Sequence, residues 1–356
     1  MKIFLLFFLI YKAVWLEIED TFQSACLIKR ADSSFLQLYQ DQQKLSIADW
    51  QSLFKRAHKL GINHIIIQWS TYNDLAFYPL NNYQSNDVLA KIIRAAKQEH
   101  LTLAIGLNYD QTFWQALNST DQELKNYLDK HYQMQQTSLP SLVDFIASVD
   151  STGDTVTSWY ITDELDDLNW QTANRRNLLK AYLDNLIRLL KQQKPNWPIA
   201  ISIFASGQVN QTQIESFYHF LFHDTAVDKF LLQDSIGTKK LTLTELKDYL
   251  AIVAKTLQAS QRQFAVIIEL FIEDSKQNVF VSAPPDLVTA QLSLATKYST
   301  TNPILFSFFS YVLPSEKLDN QALYTFWQAK TKDCSSLLTF IIDYLSHPAP
   351  IKIISL

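Results

Sequence analysis

Short apolar runs alternate with amphipathic stretches along most of the chain. The runs centre near Leu36, Ile66, Leu103, Trp159, Ile201, Leu231, Ile267 and Leu305, and each reads as a β-strand. Residues 65–67, 264–270 and 304–308 hardly alternate between apolar and polar positions. Strands buried on both faces look like this, as parallel strands covered by helices do. Most intervals between the runs hold one helix and two loops.

The helices carry their own punctuation. Ser46 with Asp49 forms a capping box ahead of Trp50, Phe54, Ala57 and Leu60, which share a face, and Gly61 ends that helix. Ser85 is expected to begin the next, with Val88, Ile92, Ile93 and Ala96 on its inner face. Residues 172–194 form one long helix closed by Pro195; Thr242 and Glu245 open another, and Pro284 and Pro285 open the helix before the last strand. Eight β/α units predict an α/β protein, a single (βα)8 TIM barrel over residues 21–332. An open doubly wound sheet is the alternative. Segment 111–150 reads as a helical insertion after strand three, and residues 333–356 as a C-terminal tail packed on the barrel.

Composition narrows the chemistry. Only 5 of 356 residues are glycine, against about 25 at ordinary usage. Phosphate-binding glycine loops and the G-x-S-x-G elbow need two glycines within a few positions, so both are absent. The sequence therefore calls for no cofactor. Its net charge of −4 offers no basic excess to suit nucleic acid. Cys26 and Cys334 make no metal or redox motif; they read either as two buried thiols or as a disulfide joining the chain ends. Residues 1–20 contain an apolar run after Lys2 that resembles a secretory signal and is too short to span a bilayer. A periplasmic or secreted protein is expected on that ground, with an N-terminal anchor or a buried cytoplasmic first strand as alternatives.

A barrel of this kind builds its active site from the C-terminal ends of the strands. Two acids stand at such ends, Glu164 after strand four and Glu269 after strand seven. An ionisable group closing an apolar strand is costly to bury and needs a partner or a function, and strand ends nearby supply no Lys or Arg. Two carboxylates facing each other across a barrel mouth suit glycosidic bond cleavage: one, protonated, gives a proton to the leaving oxygen, and the other attacks or stabilises the oxocarbenium-like centre. Asp163, Glu164, Asp166 and Asp167 could instead hold a divalent cation, which would make a metal-dependent barrel enzyme. Such acids also suit the first turn of a following helix, and no metal is assigned. His219 and His223 are spaced like zinc ligands, but Phe220 stands where a catalytic Glu would be needed.

Segments 34–37, 45–50, 60–62 and 66–69 are similar to the opening of the bacterial domain-of-unknown-function family 4434, and 159–166 and 232–237 resemble its strand-four and strand-six motifs. The likeness covers roughly 33–312. It implies a glycoside-hydrolase-like TIM barrel acting on carbohydrate. The placement of Glu164 and Glu269 also resembles the large retaining glycosidase clan, which implies Glu164 as acid/base and Glu269 as an ionised nucleophile. Asp163 stands where that clan commonly has Asn. In this reading Gln68, Asn108, Asp163, Gln233 and Asp234 hold sugar hydroxyls, and Trp69, Trp114 and Tyr311 stack on sugar rings. A non-catalytic saccharide-binding barrel is the other reading.

Overall fold

The computed structural model describes residues 26–346 apart from 259, 275, 277–278 and 315–319. The signal-like segment 1–20 and the last ten residues of the tail lie outside the described residues. Eight parallel strands close into a barrel: β1 (Ser33–Leu36), β2 (His64–Ile67), β3 (Thr102–Gly106), β4 (Val156–Asp166), β5 (Ile199–Phe204), β6 (Lys229–Gln233), β7 (Gln263–Glu269) and β8 (Ile304–Phe306). Each pairs with its neighbours in sequence, and Ser33 against Ile304 closes the ring. All eight apolar runs thus become barrel strands, and the closed form displaces the open sheet.

Strand alternation divides the core in two. Phe35, Ile66, Ala104, Tyr160, Leu231, Ala265, Ile267 and Ile304 fill the barrel interior. Residues of opposite parity, such as Ile65, Ile67, Leu103, Ile105, Trp159 and Ile161, pack outward against the helices. Both faces are therefore apolar, which is why the strands read as unbroken apolar runs. The main helices are α1 (Ile47–Lys59), α2 (Val88–Gln98), α3 (Asp121–Val149), α4 (Ala173–Gln193), α5 (Gln211–His219), α6 (Leu243–Leu257), α7 (Pro285–Tyr298) and α8 (Gln321–Ser346). The Ser46–Asp49 box caps α1, and Thr242 with Glu245 caps α6.

Three boundaries differ from expectation or refine it. Ser85 does not open α2; it lies in a two-residue strand, and its hydroxyl pairs with the Leu80 backbone to close a turn, so α2 starts at Val88. The helical segment after strand three holds a short helix, Phe113–Leu117, and α3, which also serves as the crossover to β4. Helix α8 begins at Gln321 and continues without a break past 333. Cys26 and Cys334 form a disulfide, tying the turn before β1 to α8 across 308 positions. Among the described residues, no helix is long and apolar enough to cross a membrane.

The mouth has its own small sheet, in which residues 71–72 pair with both 75–76 and 108–109. Gly106 makes this closeness feasible. A Cβ at that position would lie 2.1 Å from the Gln68 carbonyl oxygen, so only glycine lets β3 approach β2 there.

Candidate active site

Period-two alternation carries the inward rows up to the mouth. Gln68 stands two residues beyond Ile66, Gln233 two beyond Leu231, and Glu269 two beyond Ile267. Glu164 lies four beyond Tyr160, past an irregularity in β4 between Ile161 and Leu165. These four side chains converge. Gln68 Nε2 donates to Glu164 Oε1 at 3.4 Å, and the Gln233 side chain also hydrogen-bonds Glu164. Glu269 is buried, and its Oε2 accepts the Thr238 backbone N–H at 3.2 Å; the Gly237 N–H also serves it.

The two acids share a raised pKa and differ in their partners. Burial raises the Glu164 carboxyl, opposed by Gln233 and Lys240. Burial pushes Glu269 up to about 7, against the Thr238 and Gly237 N–H groups and Lys240, with the Glu164 charge adding to the rise. Glu269 was expected to be held ionised. The donors that would do so are present, but its desolvation outweighs them. The partners distinguish the pair. A backbone N–H can only donate, so it favours the carboxylate at Glu269. A glutamine amide offers both donors and an acceptor, so Glu164 finds a partner in either protonation state. Gln68 Oε1 is buried and has no hydrogen-bond partner among the described residues. A protonated Glu164 could supply one.

Lys240 escaped the sequence reading. It sits six residues beyond Asp234, in the loop between β6 and α6, and its Nζ lies 3.9 Å from the centre of the Phe204 ring at the end of β5. Its charge acts on both Glu164 and Glu269. A search confined to strand ends could not find it. A search of the whole loop after each strand would have.

Of the other expected substrate contacts, Trp114 and Tyr311 are half-buried at the rim, with Tyr311 close enough to feel the Glu269 charge. The remaining four turn outward. Trp69 is buried, gives its indole N–H to the Leu38 carbonyl and stacks on Tyr109. Asn108 is buried against α3, bonded to Gln135 and Ser138. Asp163 is buried, accepts the Tyr182 hydroxyl and lies 3.5 Å from His131. Asp234 is fully buried beneath α7, accepting Gln291 Nε2 at 2.7 Å and the Ile236 N–H at 3.2 Å. None of these four offers a free polar or ring face to the mouth. Their parity carries the reason: Trp69, Asp163 and Asp234 each flank an inward residue and must point the other way. The rim positions go instead to Tyr39, Tyr72 and Tyr109, which pack around Trp69.

The acidic run at the end of β4 does not converge. Asp166 accepts the backbone N–H groups of Leu168 and Asn169, whereas Asp167 accepts the Ser206 N–H and the Tyr249 hydroxyl. Among the described residues no group of three His, Cys, Asp or Glu is placed to hold a metal ion. The rings of His219 and His223 lie 4.5 Å apart, tilted by 36°, at the end of α5 and just beyond it, away from the mouth.

A family model described as a domain of unknown function (DUF4434) matches residues 31–318. The uncharacterised Escherichia coli protein YbcH is 29% identical over 266 residues, covering 74% of this chain and 84% of that one. Among solved structures, a proposed α-L-fucosidase from Bacteroides thetaiotaomicron superposes with a TM-score of 0.67 at 18% identity, over 85% of this chain and 93% of that one. An endo-1,4-β-mannanase from Rhizomucor miehei gives 0.51 at 11%, over 87% and 95%. These two structural likenesses show a shared TIM-barrel fold.

Proposed function

The chain belongs to the DUF4434 family of domains of unknown function, and from that premise we propose that it is a retaining glycoside hydrolase acting on an oligo- or polysaccharide. The observation that carries the reading is a pair of carboxyls from the ends of β4 and β7, near enough for the Glu164 charge to act on Glu269, with partners of opposite kind. Glu164 gives its proton to the glycosidic oxygen as that bond to the anomeric carbon breaks. Glu269 attacks the anomeric carbon and forms a glycosyl ester. Glu164, now a carboxylate, takes a proton from a water that attacks the anomeric carbon of that ester; the bond from this carbon to the Glu269 oxygen breaks, which frees Glu269 as a carboxylate and restores the starting state. The half-buried rings of Trp114 and Tyr311 would pack on sugar C–H faces, with Tyr109 beside them.

The test is hydrolysis of a panel of plant, fungal and bacterial glycans. Wild type is expected to release reducing ends, and Glu164→Gln and Glu269→Gln to lower the rate by about 10²–10⁴-fold or more. Proton NMR of the first product should show a retained anomer. Wild-type rates in both variants would overturn the assignment; an inverted product would overturn the nucleophile role of Glu269.

A further inference from the structure

The loop between β6 and α6 brings a cation to a site whose other ionisable groups are acids and phenols. Its backbone is fixed rather than loose. Lys239 and Lys240 donate their N–H groups back to Ile236 and Ser235, and Leu241 donates to Ser235 as well. The Lys240 carbonyl packs so closely on Gly207 that a Cβ there would meet it at 2.6 Å. The side chain is directed as well, its Nζ lying over the Phe204 ring. Phe204 pairs in register with Gln233, the partner of Glu164. Two residues before Lys240, the Thr238 N–H holds Glu269. The same loop therefore delivers a backbone donor to one carboxyl and an ammonium whose charge acts on both.

We propose that Lys240 is a positioning residue of this site, whose ammonium keeps one negative charge on the Glu164–Glu269 pair. Three buried or half-buried carboxyls crowd here. Glu164 enters from β4 and Glu269 from β7, while Asp234 lies behind Glu269 at the end of β6, fully buried. Tyr109 and Tyr160 face Glu164, and Tyr311 faces Glu269. None of these groups brings a positive charge, and each carboxyl that ionises opposes ionisation of the next. Lys240 is the cation that acts on both members of the pair. Without it the pair would hold its second proton to higher pH, leaving less carboxylate to attack. The catalytic consequence rests on the function proposed above; the electrostatic claim does not.

The experiment titrates the full chain, labelled with ¹³C at the glutamate side-chain carboxyls, by NMR, with signals assigned through Glu164→Gln and Glu269→Gln. In Lys240→Met the lower midpoint of the pair should rise by roughly 0.5–1 pH unit, and Lys240→Arg should restore it. An unchanged midpoint in a folded Lys240→Met protein would overturn the inference. So would a rise that Lys240→Arg fails to reverse, since a lost shape and not a lost charge would then be the cause. Should Met unfold the chain, Lys240→Gln is titrated instead: a raised midpoint supports the inference and an unchanged one overturns it. A shifted midpoint with no glycan hydrolysed would refute the proposed function and leave this inference standing. Hydrolysis that depends on Glu164 and Glu269, with no shift, would do the reverse.

Discussion

The two ends of the barrel treat their carboxylates in opposite ways. At the foot, Asp150 precedes β4 and accepts the backbone N–H groups of Thr155 and Val156 at 3.0 and 2.9 Å, with Lys97 at 3.7 Å. Burial works against its charge, but those donors win and hold its carboxyl below the usual range. Asp228, preceding β6, is tied to Lys191 and to the Ile199 N–H, both at 2.9 Å. At the mouth, Glu164 and Glu269 have no Lys or Arg within salt-bridge distance among the described residues, and burial leaves both with raised pKa values. The foot also shifts a base: burial, then Lys229, pushes His64 down to about 4. A histidine kept neutral near pH 7 changes little there, whereas burial at Glu164 favours the protonated carboxyl, which has a proton to give. Foot carboxylates stabilise the barrel, and mouth carboxylates cost it stability, the trade that the proposed catalytic role calls for.

That contrast can be broken by substitution. The largest effect is expected at the foot. Asp150→Ala strands two buried backbone donors and should lower unfolding free energy by about 2–4 kcal/mol, measured by urea denaturation, with no change in turnover. A loss under about 0.5 kcal/mol would show the foot acid to be idle. The mouth should respond with the opposite sign. Glu269 titrates at about 7 when folded, above the ordinary value, so the stability it contributes is present at low pH and lost as pH rises through about 7. Glu269→Gln removes that loss. It should leave stability unchanged near pH 4 and raise it by up to about 3 kcal/mol near pH 8. Equal stability of the two proteins at both pH values would contradict the raised titration. The smallest effect is expected for Lys97→Met at the foot, below about 1 kcal/mol. Lys97 is a partly exposed partner, and the backbone donors do most of the holding.

The barrel was legible because its strands are apolar on both faces, and eight such runs leave few other folds. Glu164 and Glu269 were legible as acids that end apolar strands. The outward turn of Asp163 and Asp234 was also encoded, since each sits one residue from an inward position, but it requires the inner row to be known first. Phe35, Ile66 and Leu231 reveal that row only once the register is fixed, because apolar residues occupy both parities. Asn108 lies past the end of β3, where alternation no longer applies. Lys240 was not legible from strand patterning. It reaches the mouth through a loop that turns back at Ser235, whose φ of +57° no short motif announces.

The most direct test pairs two readings on one protein. Glu269→Gln is assayed at pH 8 for unfolding free energy and for release of reducing ends from a glycan that the wild type hydrolyses. The expected outcome is a protein more stable than wild type and slower by about 10²–10⁴-fold or more. A variant that is less stable, or that turns over at the wild-type rate, would contradict the claim that this barrel keeps a desolvated, destabilising carboxyl at its mouth for catalysis.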